Sequence, residues 1–352
     1  MEPVTHFLTG ACLARTGFNR KTAYAVLAMT LGAEAPDIDV LWSLRGPVAG
    51  FAHHRGITHT FLGAPFVALA VTAIVWLWHR TRREPPALSP RWVWIWFLSL
   101  LAVLSHIFLD WTNNYGVRPF YPFNPRWYSL DIAFILEPVI FAALLTALIV
   151  PAIFALTDRE IGAAKSGFRG RKWALAAIFV VGIDLGVRAV EHHRALRLVQ
   201  NTRFGDQPMM RAGVEPYPVT PFLWFAVVET RGYYQTGSVD SWKETVDTND
   251  EDDVTFKPPV TAAVAAAKRS WLGRVYLDWA QFPVVTDRGP AGLMASNDLV
   301  PEPQDTAVEF RDLRFAYSVL GRGRAAGALT AWVYVTANGK IDAMVMGRRV
   351  QR

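Results

Sequence analysis

The chain has 352 residues, of which 52% are hydrophobic, with 14 Trp, 21 Phe and a mean hydropathy of +0.18, which is too apolar for an ordinary soluble domain. It is also 19% charged, too much for a purely membrane-embedded bundle, so a membrane part joined to a soluble part fits both figures. Lys plus Arg outnumber Asp plus Glu by 36 to 30, but the excess gathers in short loops beside apolar segments; that is a topology signal, and no nucleic-acid partner is expected.

The single cysteine, Cys12, excludes an intrachain disulfide and a cysteine-rich zinc or iron–sulfur site, so any bound metal must use nitrogen and oxygen ligands. In chain order, Val4 to Leu13 and Thr22 to Ala35 read as two short apolar helices joined at Gly17-Phe18-Asn19-Arg20-Lys21. Each covers only about 21 Å, short of the roughly 30 Å hydrocarbon layer, which predicts a partly re-entrant hairpin or a thinned bilayer. Glu2 and His6, with no positively charged leading region, argue against a signal peptide.

Pro36-Asp37-Ile38-Asp39 ends the second helix, because the residue before proline disfavours the α region, and delivers two carboxylates into a loop. A helix-capping role is the plainer reading of such a pair. The run His53-His54-Arg55-Gly56-Ile57-Thr58-His59 follows, with a glycine that permits a tight turn between imidazoles. Arg55 can grip an anionic substrate oxygen or a lipid headgroup. His53, adjacent to His54, reads as a neighbour of any site.

Four segments are long and apolar enough to cross a bilayer: Phe61 to Trp78, Trp92 to Trp111, Ile132 to Leu156 and Trp173 to Val190, the third with kinks expected at Pro138 and Pro151. Tryptophans at many of these ends suit an interfacial belt. Basic residues lie in the loops His79 to Arg91 and Arg159 to Lys172, which threads those loops to the cytoplasm. Asp37 to His59 and the loop Trp111 to Asp131 then face outside, as does everything after Val190. An inward basic bend in the N-terminal hairpin returns His6 and Asp37 to the same outer face.

His106 and Asp110, i and i+4, share one helical face in the last turn of the second span and can bite one ion or adjacent ions. A satisfied structural histidine beside a helix-end aspartate is the alternative. The loop from Trp111 through Phe123 is aromatic and proline-rich, able to cover a site or rest in the interface. Glu137 reads either as a carboxylate supporting the metal ligands or as one stabilised by a helix N-terminus. Asp184 and Arg188, four apart, are expected to neutralise each other. His192 and His193 lie on the same side in a helix extension.

Beyond 190 the pattern shifts to short alternating or β-branched runs. Phe222 to Thr230, Arg274 to Trp279, Val308 to Tyr317 and Leu329 to Thr336 read as strands, Thr261 to Trp271 as a helix, and Ala337-Asn338-Gly339-Lys340 as a hairpin turn before Ile341 to Met346. Asp247, Asp250, Glu251, Asp252 and Asp253 form an acidic run lacking the glycine of an EF-hand loop. The expected organisation is an α-helical polytopic membrane domain, 1–190, and a β-rich (α+β) soluble extracytoplasmic domain, 191–352, in which no catalytic set is found.

Thr5-His6-Phe7-Leu8-Thr9-Gly10, Pro36-Asp37-Ile38-Asp39, His54-Arg55-Gly56-Ile57-Thr58-His59 and His106-x-x-x-Asp110, in that order, resemble the inner-membrane metal-dependent hydrolase family that includes a LexA-regulated bacterial member. The resemblance covers about the first half of the chain. It implies metal-centre roles for His6, Asp37, Asp39, His54, His59, His106 and Asp110, with Asp131 a weaker addition. A more distant likeness to zinc-dependent phospholipase C and the P1-type nucleases favours phosphoester chemistry by analogy, although their N-terminal Trp ligand and full spacing are missing.

Seven His and Asp side chains exceed the need of one tetrahedral zinc, so one or two ions are expected, zinc first, manganese or iron behind. Asp37 and Asp39 are candidate bridging or basic carboxylates, and Arg55 a candidate substrate-oxygen ligand. The expected function is metal-dependent hydrolysis, by activated water, of a lipid-linked or membrane-proximal ester, foremost a phosphoester, at the inner membrane with membrane lipids as partners. The competing reading is a non-enzymatic scaffold or metal-handling protein with a structural His/Asp site.

Overall fold

A computed structural model describes all residues except 161–169, 249–252, 294–301, 318–328 and 348. The described residues divide into two compact units: Met1–Asp39, Arg55–His193 and Pro216–Phe222 in the first, and Val40–His54, Arg194–Glu215 and Leu223–Arg352 in the second.

The first unit is helical. α1 (Pro3–Arg15) opens under a Glu2 cap whose carboxylate accepts from the Val4 and Thr5 amides, and α2 (Ala25–Glu34) returns antiparallel to it. Four helices have the length and hydropathy to cross a membrane: α4 (Ala64–Thr81), α5 (Trp92–Thr112), α6 (Pro138–Glu160) and α7 (Arg171–Asn201). α6 begins at Pro138, so that proline starts the helix at its first position rather than kinking it, and residues 132–137 precede it outside the helix; Pro151 does lie inside. Asp184 and Arg188 pair at 3.1 Å, and the Glu137 carboxyl lies 2.9 Å from the same guanidinium. Glu137 also accepts from the Val219 amide at 3.1 Å.

Close approach in this unit depends on glycine. A Cβ on Gly10 would lie 2.4 Å from the Met29 carbonyl oxygen, and one on Gly32 would lie 2.8 Å from that of Ser99. These two positions let α1 meet α2, and α2 meet α5, backbone to backbone, around a core of Ala14, Ala25, Met29, Ala33, Leu98 and Ala102.

The second unit is built on two five-stranded antiparallel sheets. One runs β1 (Arg211–Pro216), β2 (Leu223–Glu229), β3 (Tyr233–Asp240), β4 (Thr245–Asp247), with β5 (Val254–Phe256) also on β3. Ala195 and Val199 pack with Trp224, Ala226 and Val228 of this sheet. The other runs β10 (Arg349–Gln351), β9 (Ile341–Met346), β8 (Ala331–Val335), β7 (Thr306–Asp312), β6 (Pro283–Pro290). The unit also holds α3 (Pro47–His53), whose Phe51 ring lies 5.3 Å from that of Trp279.

The helix expected from Thr261 to Trp271 is two: α8 (Ala262–Arg269), capped by Thr261, and α9 (Trp271–Trp279), capped by Ser270. Arg274 to Trp279, expected as a strand, therefore lies in α9. Leu272, Tyr276 and Trp279 are its buried side chains, spaced four and three apart, and this helical period overrides the local strand propensity. Of Val308 to Tyr317, the strand ends at Asp312 and Leu313–Phe315 forms a 3-10 turn. In the acidic run, Asp247 ends β4, whereas Asp250, Glu251 and Asp252 lie outside the described residues.

Candidate metal centre

Four segments of the first unit bring ligand-bearing side chains to one end of its helices. His6 stands in the first turns of α1, Asp37 follows α2, His59 precedes α4, and His106 and Asp110 occupy the final two turns of α5. One ligand atom from each of Asp37, His59, His106 and Asp110 lies within 4.8 Å of all the others. The His59 and His106 Nε2 atoms are 3.0 Å apart; Asp37 Oδ1 is 3.4 and 3.6 Å from them, and Asp110 Oδ2 is 3.5 and 3.4 Å. A tetrahedron with metal–ligand distances of 2.0–2.1 Å has edges of roughly 3.3 Å, so these five separations, 3.0 to 3.6 Å, have room for a zinc-sized ion.

The tautomers agree. His106 Nδ1 lies 2.6 Å from the Ala33 carbonyl oxygen, which can only accept, so the ring proton sits there and Nε2 presents its lone pair to the cluster. His59 Nδ1 is 3.2 Å from Asp39 Oδ2, which fixes the same tautomer and turns its Nε2 inward. Two imidazole lone pairs facing each other at 3.0 Å, flanked by two carboxylates, repel unless a cation stands between them. The residues present fit a divalent ion.

Asp39 thus stands behind His59, orienting it, and is not among the four clustered donors. It also accepts from the Arg55 amide at 2.7 Å, which holds Arg55 at φ +52°, a left-handed conformation a non-glycine residue adopts only under such constraint. The buried Arg55 guanidinium donates to Asp110 Oδ1 at 2.8 Å and to the Gly116 carbonyl at 2.8 Å, and stacks on Tyr115. Burial lowers its pKa to about 10, which leaves it cationic at neutral pH. The two oxygens of Asp110 are divided: Oδ1 meets Arg55 and the Met1 amino group, while Oδ2 faces the imidazoles.

His6 is buried, stacks on His106 at 3.7 Å, and comes within 3.3 Å of Asp110 Oδ1, yet neither of its ring nitrogens has a directed hydrogen bond. It adjoins the four donors without joining them. His54 is the C-cap residue after α3, and His53 stacks on Trp42 at 4.0 Å; neither histidine belongs to the four-donor group. Asp131, His192 and His193 are also outside it.

Two participants went unread in the sequence. Glu34, half-buried at the end of α2, has its carboxyl pushed up to about 7 by burial and then by nearby Asp37. An acid in an otherwise apolar helix is the signal that could have revealed it. Asn113, whose side-chain oxygen accepts from Arg55 at 3.2 Å, has no such signature.

The chain matches the YdjM inner membrane protein family over residues 1–195. It is also 31% identical over 156 residues to an uncharacterized protein, YfhP, of Bacillus subtilis (strain 168). That alignment covers 42% of this chain and 45% of the relative, so the chain spans under half of that protein's length. No solved structure matches the chain. The family match takes in all four apolar helices up to residue 195 and every donor of the centre, and on that extent the chain belongs to the YdjM inner membrane protein family as a multi-pass inner-membrane protein.

Proposed function

We propose that this protein is a metal-dependent hydrolase of a lipid-linked or membrane-proximal ester, foremost a phosphoester, with its centre on the extracytoplasmic side. The observation that carries the reading is the convergence of two imidazole lone pairs and two carboxylates at tetrahedral-edge spacing, with one donor, the Asp37 side chain, still 26% exposed. A structural site is closed by its protein ligands, whereas a catalytic one keeps a position open, and the exposure of Asp37 favours the second.

Asp37, His59, His106 and Asp110 would hold the ion; a nitrogen and oxygen donor set suits zinc first, then manganese or iron. His6, buried with unsatisfied nitrogens beside Asp110, is the natural ligand of a second ion. When bound, such an ion supplies Lewis acidity to an ester oxygen and brings the acidity of water toward a pKa of about 7. Asp39 keeps His59 oriented. Arg55 pairs with Asp110 Oδ1 and places a fixed positive charge next to the donors, which favours an anionic phosphoester over a neutral ester.

The sidedness rests on charge. Arg15, Arg80, Arg82, Arg83, Arg91 and Lys172 lie at or beyond the helix ends opposite the donors, the arrangement that retains those ends in the cytoplasm.

Metal analysis of the purified full chain, wild type against Asp110→Asn and His106→Ala, followed by a screen of phosphodiester and phospholipid substrates, tests the proposal. Stoichiometric metal and phosphoester turnover lost together in both variants support it. Metal retained by the wild type with no turnover of any phosphoester hands the centre to the structural or metal-handling reading.

A further inference from the structure

Three of the four donors, His59, His106 and Asp110, are buried, but residues beside the donors in sequence are apolar and exposed. Phe7 follows His6 and is 49% exposed, Ile38 follows Asp37 at 59%, and Ile57 and Phe61 flank His59 at 50% and 44%. Apolar side chains this exposed are ordinary on a lipid-facing span, yet these four all precede the first span, α4, in the segments that carry the donors.

The segments that carry them meet at the donors. His6, the residue before Phe7, stacks on His106 with ring centroids 3.7 Å apart. Asp37 Oδ1 lies 3.4 Å from His59, and Asp39 Oδ2 accepts from the Arg55 amide, so Ile38 stands between two residues fixed to the segment that carries Ile57. Val4 and Phe7, three apart, present one exposed face of α1. The apolar surface then continues without a charged residue from Phe61 and Leu62 into α4, whose Phe66 and Leu69 are also exposed. Along α5, His106 lies six residues from the helix end at Thr112, about 9 Å at 1.5 Å per residue, so the donors stand at the edge of the hydrocarbon layer.

We infer that Phe7, Ile38, Ile57 and Phe61 form an apolar collar that takes the hydrocarbon tail of a lipid substrate, drawn sideways from the bilayer with its headgroup ester presented to the donors. The inference rests on the hydrolase reading and narrows its substrate to a tailed lipid. Continuity of the collar with the lipid-facing surface of α4 commits the occupant to a lipid rather than a protein.

The test compares two phosphodiesters that share a headgroup, dodecyl p-nitrophenyl phosphate and ethyl p-nitrophenyl phosphate, on the zinc-loaded full chain in nanodiscs. The wild type is expected to show kcat/KM at least tenfold higher for the dodecyl ester. Phe7→Ser and Ile57→Ser, singly and together, should erase that preference while ethyl ester turnover and zinc content stay unchanged. Equal kcat/KM for the two esters in the wild type, or a preference that survives the double variant, overturns the collar. If the wild type cleaves neither ester, the hydrolase reading fails, and binding of dodecyl phosphate against inorganic phosphate decides the collar alone: tighter dodecyl phosphate binding lost in the double variant supports it, and equal binding refutes it.

Discussion

His59 and His106 are oriented as candidate metal ligands by what lies behind them. Each donates Nδ1–H outward, to Asp39 and to the Ala33 carbonyl, so that Nε2 lone pairs face inward. This separates two aspartates that the sequence presents as equivalents in Pro36-Asp37-Ile38-Asp39. Asp37→Asn removes a donor and should abolish stoichiometric metal, whereas Asp39→Asn keeps an acceptor for His59 but loses its charge and should weaken affinity about 10–100-fold. Chelator competition on the purified variants distinguishes the outcomes; equal losses would make Asp39 a direct ligand. Residue type and order singled out Asp37, His59, His106 and Asp110, the four donors that the fold draws together, because metal chemistry restricts the side chains that can serve. They were not enough to separate His54 from His59, since which imidazole turns inward is decided by the Gly56 turn and the Asp39 contact, both three-dimensional.

At the scale of elements, the centre exists because three helices approach closely. His106 on α5 reaches the Ala33 carbonyl only while Gly32 lies against Ser99. Gly32→Val would drive its Cβ to 2.8 Å from a carbonyl oxygen and 3.1 Å from the Ala102 Cβ, a backbone clash rather than a movable side chain. The expected cost is about 1–3 kcal/mol, with metal affinity falling because the α2 carbonyl that orients His106 is displaced. Thermal unfolding in detergent and zinc titration read both effects, and Gly182→Ala in α7, whose Cβ meets nothing within 4 Å, is the neutral control. The apolar spans were legible in the sequence because a bilayer demands long uninterrupted apolar runs. α9 was not: Val275 and Tyr276 have strand propensity, and only the burial of Leu272, Tyr276 and Trp279 on one face reveals the helix. Trp279 is buried against Phe51, Tyr276 and Phe315, so Trp279→Ala should destabilise the β-rich unit by about 3–5 kcal/mol, visible as earlier proteolysis of residues beyond 223 in the full chain.

For the whole molecule, charge placement bears on both stability and sidedness. Arg188 is buried in α7, with the Asp184 and Glu137 carboxyls at 3.1 and 2.9 Å from its guanidinium. Arg188→Met strands both carboxylates and should cost about 3–5 kcal/mol, and adding Glu137→Gln should recover part of it. Thermal melts of the single and double variants measure the coupling, and zinc content per folded molecule should not change, because neither residue is among the clustered donors. The basic loops predict a sidedness that labelling can test. The sequence supplies a direct reporter, since its one cysteine, Cys12, is buried and should give little labelling background. Arg83 lies in the exposed loop between α4 and α5, at the helix ends remote from the donors, while Asn124 is exposed in the loop that follows α5 on the donor side. With positive charge retained in the cytoplasm, Asn124→Cys should react with a membrane-impermeant maleimide in intact cells with a permeabilised outer envelope, and Arg83→Cys only after lysis. The reverse pattern would place the centre in the cytoplasm, where its substrate would have to be drawn from the inner leaflet.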